Sequence, residues 1–308
     1  SSIDAYWAVN HEHPPLDKIW SGLVWQVARH VLDDLTAHRL GNMLLVAGLA
    51  AMLFLLLAEH YGRGVGALAV AALFSMPRFF FHSHLAALDV PAVVSIFAVV
   101  FVFWRRKDQH GFRHAAALGV VWGLAMATKV NAAFVMPALF FWVLLFQREW
   151  RLIGRLVAAG FFAFFVFLLS WPWLYPALGA RIWEYVRFLT VDHWEIGQYY
   201  LGRFYMPPPW HFPLVMLVAV VPLLLLIAAR LGGWQAWRER TDGARSLGIL
   251  LLSNAVVPIA VLATGSSMVY DNERLMMPAF PFIAALAALG IRWAVQQISA
   301  WLARTGRE

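Results

Sequence analysis

Near the start of the chain, Asn10-His11-Glu12-His13-Pro14-Pro15-Leu16-Asp17-Lys18 packs six polar or ionisable side chains and two prolines into nine residues. Proline fixes φ and interrupts a helix, so this pattern predicts a stiffened loop that aims His11, Glu12 and His13. A solvated connector is the plain alternative. Three more charges stand where charge is costly, each beside an apolar run: Asp89, Lys129 and Arg274. Asp89 fits a functional carboxylate or a helix cap with Pro91 in the first turn. Lys129 fits a snorkelling ammonium or a phosphate ligand, and the planar fork of Arg274 is the better phosphate clamp of the two. Together they suit chemistry on a lipid-linked phosphate. Cations would hold the departing phosphate, and a carboxylate would take a proton from the attacking hydroxyl. His82, His84, His193 and His211 read first as surface or interface histidines.

The elements that must position these groups are greasy. Of 308 residues 62% are hydrophobic and 13% charged, with mean hydropathy +0.67. Globular chains have roughly 45 to 50% apolar and about 25% charged residues, so the composition predicts a polytopic membrane protein. There is no cysteine, which excludes a thiol nucleophile and leaves only His and carboxylates as metal ligands. No Walker loop, Rossmann fingerprint or HExxH helix occurs, which argues against ATP-driven transport and a nucleotide cofactor. The net charge of +7 is read against membrane sidedness before any nucleic-acid partner, and none is expected.

Apolar runs predict about nine transmembrane helices, near 40–58, 65–81, 90–104, 115–128, 131–147, 153–171, 212–229, 246–264 and 277–296. Ile19, Leu23, Val27 and Val31 space an amphipathic interfacial helix ahead of them. Four regions follow: an outer loop with interfacial helix over 1–38, helices over 39–171, an aromatic outer loop over 172–211, and helices with a cytoplasmic tail over 212–308. If 1–38 lies outside, the inward loops collect an excess of Arg and Lys, including Arg105, Arg106, Lys107, Arg151 and Arg155. That orients the front loop outward, together with Asp89, Lys129, 172–211 and Arg274. The opening Ser1-Ser2 suggests that a preceding transmembrane helix is missing.

In this order the motifs resemble those of GT-C glycosyltransferases, the polytopic family of protein O-mannosyltransferases and aminoarabinose transferases (glycosyltransferase family 39 and bacterial relatives). The resemblance rests on His13-Pro14-Pro15-Leu16, Leu88-Asp89-Val90-Pro91, Gly123-Leu124-Ala125 with Thr128-Lys129, Trp171-Pro172, Pro209-Trp210-His211-Phe212-Pro213, and Arg274 with Pro278. It implies an all-α GT-C bundle in a bacterial inner membrane. It implies inverting transfer of a sugar from a polyprenyl-phosphate donor to a lipid, glycan or protein acceptor at the outer face. It also implies roles: Asp89 and Glu12 as catalytic carboxylates, and His13, Lys129 and Arg274 as donor-phosphate residues. Glu12, with His193 as partner, would be ligands of a divalent metal, the one cofactor in view. The family's first-loop acid lies upstream of such a segment, and Asp4 stands too close to Pro14 to take that role.

Two other readings fit the same residues. A transporter or flippase for a polyisoprenoid or anionic solute would line its path with these cations and show polar residues in broken helices near the midplane. A non-catalytic fragment would bind without turning over.

Overall fold

The computed structural model describes residues 2–7, 9–109, 111–146, 150–192, 196–239, 242–264 and 273–305. A short helix α1 (Ser2–Tyr6) and the Asn10–Lys18 loop lead into α2 (Leu16–Ala28). Lys18 closes that loop, donating from Nζ to the carbonyls of Asn10 (2.6 Å) and His13 (3.1 Å). The next helix, α3 (Asp34–Tyr61), begins where the Asp33 side chain accepts from the Thr36 amide, and ends at Gly62, whose φ of +94° suits glycine.

A return through α4 (Arg63–Phe74) and α5 (Pro77–His82) brings the chain to α6 (Asp89–Arg106). Asn42, near the start of α3, donates to the carbonyls of Leu85 and Ala87 just before α6. Glu59 and His60, near the end of α3, meet Arg105 and Trp104 at the end of α6. These two helices therefore run parallel. After α7 (Phe112–Thr128) reverses direction, Lys129 is back at the end where Asp89 starts.

From there a 3-10 turn (Val130–Phe134) enters α8 (Val135–Phe146), and α9 (Trp150–Ser170) returns alongside α7. Gly119 and Gly123 let these two backbones approach: a Cβ at Gly119 would lie 2.5 Å from the Ala159 carbonyl oxygen. A 3-10 turn (Pro172–Ala177), α10 (Leu178–Arg187) and a π turn (Phe188–Asp192) follow. Next come the strands β1 (Gln198–Tyr200) and β2 (Arg203–Tyr205), an antiparallel hairpin. The chain continues with α11 (Phe212–Val220), α12 (Leu223–Arg238), α13 (Asp242–Ala263), a 3-10 turn (Arg274–Ala279) and α14 (Phe280–Thr305).

The core centres on α6 and α14. Every residue from Phe280 to Gly290 is buried, as expected of a helix that is apolar all round and enclosed by others. Packing against α12 is close enough that a Cβ on Gly290 would fall 1.9 Å from the Ala228 carbonyl oxygen.

This is the polytopic membrane bundle expected, with one small hairpin inside the aromatic segment. The spans differ in detail. Among the described residues four helices are by length and composition able to cross a membrane, Asp34–Tyr61, Trp150–Ser170, Gly243–Ala263 and Arg274–Thr305, or five if the bent pair described next is one span. The run expected as one span over 212–229 instead bends by 116° between α11 and α12, where Pro222 has no amide to continue the helix. The 65–81 run is likewise split before Pro77, and 131–147 opens on a 3-10 turn.

Candidate active site

Asp89, Lys129 and Arg274 meet at one end of the bundle. Asp89 is the first residue of α6 and Leu88 the helix cap, so the carboxylate is not spent on capping. Its Oδ1 accepts from Lys129 Nζ at 3.0 Å. Its Oδ2 takes both Nε (2.8 Å) and Nη2 (2.7 Å) of Arg274. Lys129 reaches it because α7 stops there: the lysine backbone is extended (φ −154°, ψ 130°) and turns the side chain out of the helical path. The Asp89 side chain is 2% exposed, Lys129 12% and Arg274 35%. A buried carboxylate thus holds two cations from elements distant in sequence.

Beside it opens a cavity of about 420 Å³. Glu12, His13, Lys129 and Asn131 give it polar groups, while Ile96, Val257 and Leu262 represent its mainly apolar wall. Asn254 and Pro258 line it as well. Asn131 Oδ1 is buried without a hydrogen-bond partner. Pro258 inside α13 removes the amide that the Asn254 carbonyl would otherwise accept from.

Glu12 sits at the rim with 30% of its side chain exposed. His11 lies between carboxylates, 3.8 Å from Glu12 and 3.8 Å from Glu184 of α10, and packs against Trp173 at 5.1 Å between ring centroids. An ion pair between Asp4 and Arg181 ties the front segment to the same part of the molecule. Burial, helped by Lys129 and Lys18, lowers the His13 pKa against the pull of Glu12 and Asp89. The imidazole is therefore neutral at pH 7 and brings a hydrogen-bonding group rather than a charge to the cavity.

The metal expectation rests on Glu12 and His193. Among the described residues no group of three His, Asp or Glu is spaced to hold an ion. His193 lies outside the described residues, and the divalent site expected around it and Glu12 lies outside them too. Of the other histidines, His84 donates to or accepts from local groups and His211 meets the Tyr200 hydroxyl at 2.8 Å.

Three residues gain a place that their sequence positions do not assign. Glu273, 3% exposed, lies 3.2 Å from Arg78 Nε and 3.6 Å from His82 Nε2, and so braces the turn that carries Arg274. Burial raises its pKa, but His82 and Arg78 together bring it below the usual glutamate value. Asp17 has a buried Oδ1 with no hydrogen-bond partner. Burial first, then the Asp89 charge, push its carboxyl up to about 6 against Lys18. Asn42, 1% exposed, fixes the turn before Asp89. The only signal in the sequence for these was adjacency: Glu273 to Arg274, and Asp17 to the two prolines.

The sequence matches the family model described as dolichyl-phosphate-mannose-protein mannosyltransferase over residues 12–175. No protein of curated function matches it in sequence. Among solved structures it is similar to ArnT from Cupriavidus metallidurans in the apo state, with TM-score 0.68 and 19% identity over 94% of this chain and 52% of that one. It is also similar to the same protein bound to undecaprenyl phosphate, with TM-score 0.65 and 19% identity over 94% and 53%. The chain spans about half the length of these structures.

Proposed function

The chain belongs to the dolichyl-phosphate-mannose-protein mannosyltransferase family, and on that premise we propose that it is a membrane glycosyltransferase moving a sugar from a polyprenyl-phosphate carrier to an acceptor. The observation that carries this reading is a buried carboxylate shared by Lys129 and Arg274 beside a mostly apolar cavity. Such a pairing suits a ligand that is anionic at one point and hydrocarbon elsewhere. The undecaprenyl phosphate held by a solved structure of the same fold supports that class of ligand.

In the proposed reaction the isoprenoid lies along the cavity wall and its phosphate rests on Lys129 and Arg274, with His13 adding a neutral hydrogen bond. Asp89 keeps both cations aimed and moderates their charge. Glu12, at the more open rim, orients the acceptor hydroxyl and draws off its proton. The acceptor oxygen bonds to the anomeric carbon as the bond to the phosphate oxygen breaks. The electron pair leaves on the phosphate, which the cations stabilise, and a single displacement inverts the centre. The acceptor is a lipid, a glycan or a protein hydroxyl. The site faces the outer side of a bacterial inner membrane, a reading supported by Arg105, Lys107 and Arg155 at the opposite end of the bundle.

A carrier that only moved the lipid would place polar groups in its helix break. The sharpest described break, between α11 and α12, falls at Val221 and Pro222 and carries no polar side chain, which favours the enzyme. To test the reading, the complete protein in vesicles is incubated with a panel of polyprenyl-phosphate sugars and an extract of cell-envelope acceptors. Consumption of one donor with release of the free carrier is expected, and Arg274→Ala should slow it by ~10-fold or more. If no donor is consumed and only its transbilayer distribution changes, the transferase reading is wrong.

A further inference from the structure

We propose that the β1–β2 hairpin is a membrane wedge, its tip and outer face seated in the lipid leaflet on the site side of the bundle. The turn at its tip is badly chosen for water. The two residues joining the strands, Leu201 and Gly202, both have positive φ, +47° and +81°. Asn, Asp or Gly is favoured at such positions because a Cβ in this region crowds the backbone, and the first of the two here is leucine. That leucine is also 71% exposed. In water the residue would be unfavourable twice over, once for its backbone and once for its side chain. An apolar surrounding removes the second cost.

The outer face repeats the pattern. Strand alternation puts Tyr199 and Phe204, directly paired across the ladder, on the same side. Their rings meet edge to face at 5.2 Å, yet the side chains remain 65% and 78% exposed. Trp210, just beyond the hairpin, is 65% exposed. The inner face is anchored instead. Tyr200 is 4% exposed, its hydroxyl lies 2.8 Å from His211 Nδ1, and its ring is 5.1 Å from that of buried Phe212. These contacts fasten a two-stranded ribbon, marginal by itself, to the head of α11.

The occupant follows from continuity. The helix α11 starts at Phe212, and its exposed side chains, Leu214, Val215 and Val218, are wholly aliphatic. In a membrane protein such a surface faces hydrocarbon. The hairpin extends that surface with Tyr, Trp and Phe, types that suit the boundary between headgroups and acyl chains. Arg203, beside the tip and exposed, has the reach to extend its guanidinium to lipid phosphate while the stem stays in the apolar layer. A bilayer leaflet accounts for all of these features without a dedicated protein partner.

These 308 residues contain no cysteine, and any in the rest of the complete protein are first replaced by serine. Single-cysteine versions of the complete protein, Leu201→Cys and Phe204→Cys, are labelled with a polarity-sensitive fluorophore and reconstituted in phosphatidylethanolamine–phosphatidylglycerol vesicles. Asp108→Cys, exposed at the other end of α6, serves as the aqueous control. Quenching is then compared between iodide on both sides of the membrane and nitroxides attached to acyl carbons near the headgroup. Both hairpin labels should emit to the blue of the control, lose most of their intensity to the lipid nitroxide and lose little to iodide. Iodide quenching of both labels to the level of the control would overturn the proposal. Protection from both quenchers would overturn it too, because it would mean that protein, including a second copy of this chain, covers the face. Two labelling sites keep the result independent of whether the strained tip tolerates cysteine.

Discussion

Asp89 balances two cations while showing 2% of its side chain to solvent, so replacing it takes from Lys129 its carboxylate and loosens the hold on Arg274. Removing one member of a buried ion pair typically costs 3–5 kcal/mol, and the partial exposure of Arg274 puts Asp89→Asn near the lower end, about 3 kcal/mol. Adding Lys129→Met should recover part of that loss, since one uncompensated charge leaves with it. Thermal unfolding of the parent, both single variants and the double variant measures the coupling. Asp17 gives the opposite sign. Its carboxyl is raised to about 6, so between roughly pH 4 and 6 the folded chain holds a proton that the unfolded chain has released. Stability therefore falls as pH rises through that window, and the whole cost is present at pH 7. Asp17→Asn should stabilise the protein at pH 7 by about 2 kcal/mol after allowance for solvent screening, and hardly at all below pH 4, which melting curves across pH would resolve. These two aspartates also mark what sequence could reveal at this scale. Asp89, Lys129 and Arg274 were visible as charges beside apolar runs. The burial of Asp17 and the bracing of Arg274 by Glu273 and His82 depend on packing between segments far apart in the chain, which residue types alone do not report.

At the scale of elements, apolar runs located the helices well because a membrane leaves the backbone little choice. They were poor at breaks and at non-helical pieces. The 116° bend at Pro222 falls inside what reads as one continuous apolar stretch, and the hairpin is hidden among aromatics that also suit an interface belt. Helix contacts were less legible still, since a glycine in a span looks the same whether it faces lipid or a neighbouring backbone. Gly290 and Gly154 separate the two cases. A Cβ at Gly290 meets the Ala228 carbonyl at 1.9 Å, whereas one at Gly154 meets nothing within 4 Å. Gly290→Ala should force α12 and α14 apart and destabilise by about 1–3 kcal/mol. Gly154→Ala should be neutral or stabilise by up to about 1 kcal/mol through helix propensity. Equal melting shifts for the two variants would show that the α12–α14 contact is looser than described.

For the molecule as a whole, direction of travel gathers the site. Because α3 and α6 run parallel and α7 returns, residues 89 and 129 share an end. The 3-10 turn before α14 brings Arg274 to the same place, and the front loop adds Glu12 and His13 at the cavity. Sidedness read from charges anticipated this gathering, but not that Asp89 would be enclosed by the two cations while Glu12 stays accessible. The central claim is that this end of the bundle holds a lipid phosphate on Lys129 and Arg274. Binding of radiolabelled undecaprenyl phosphate to the complete protein, compared with Lys129→Ala and Arg274→Ala, tests it most directly. Saturable binding by the parent, weakened ~10- to 100-fold by each substitution, is the predicted result. Parental binding that both variants retain undiminished would contradict it.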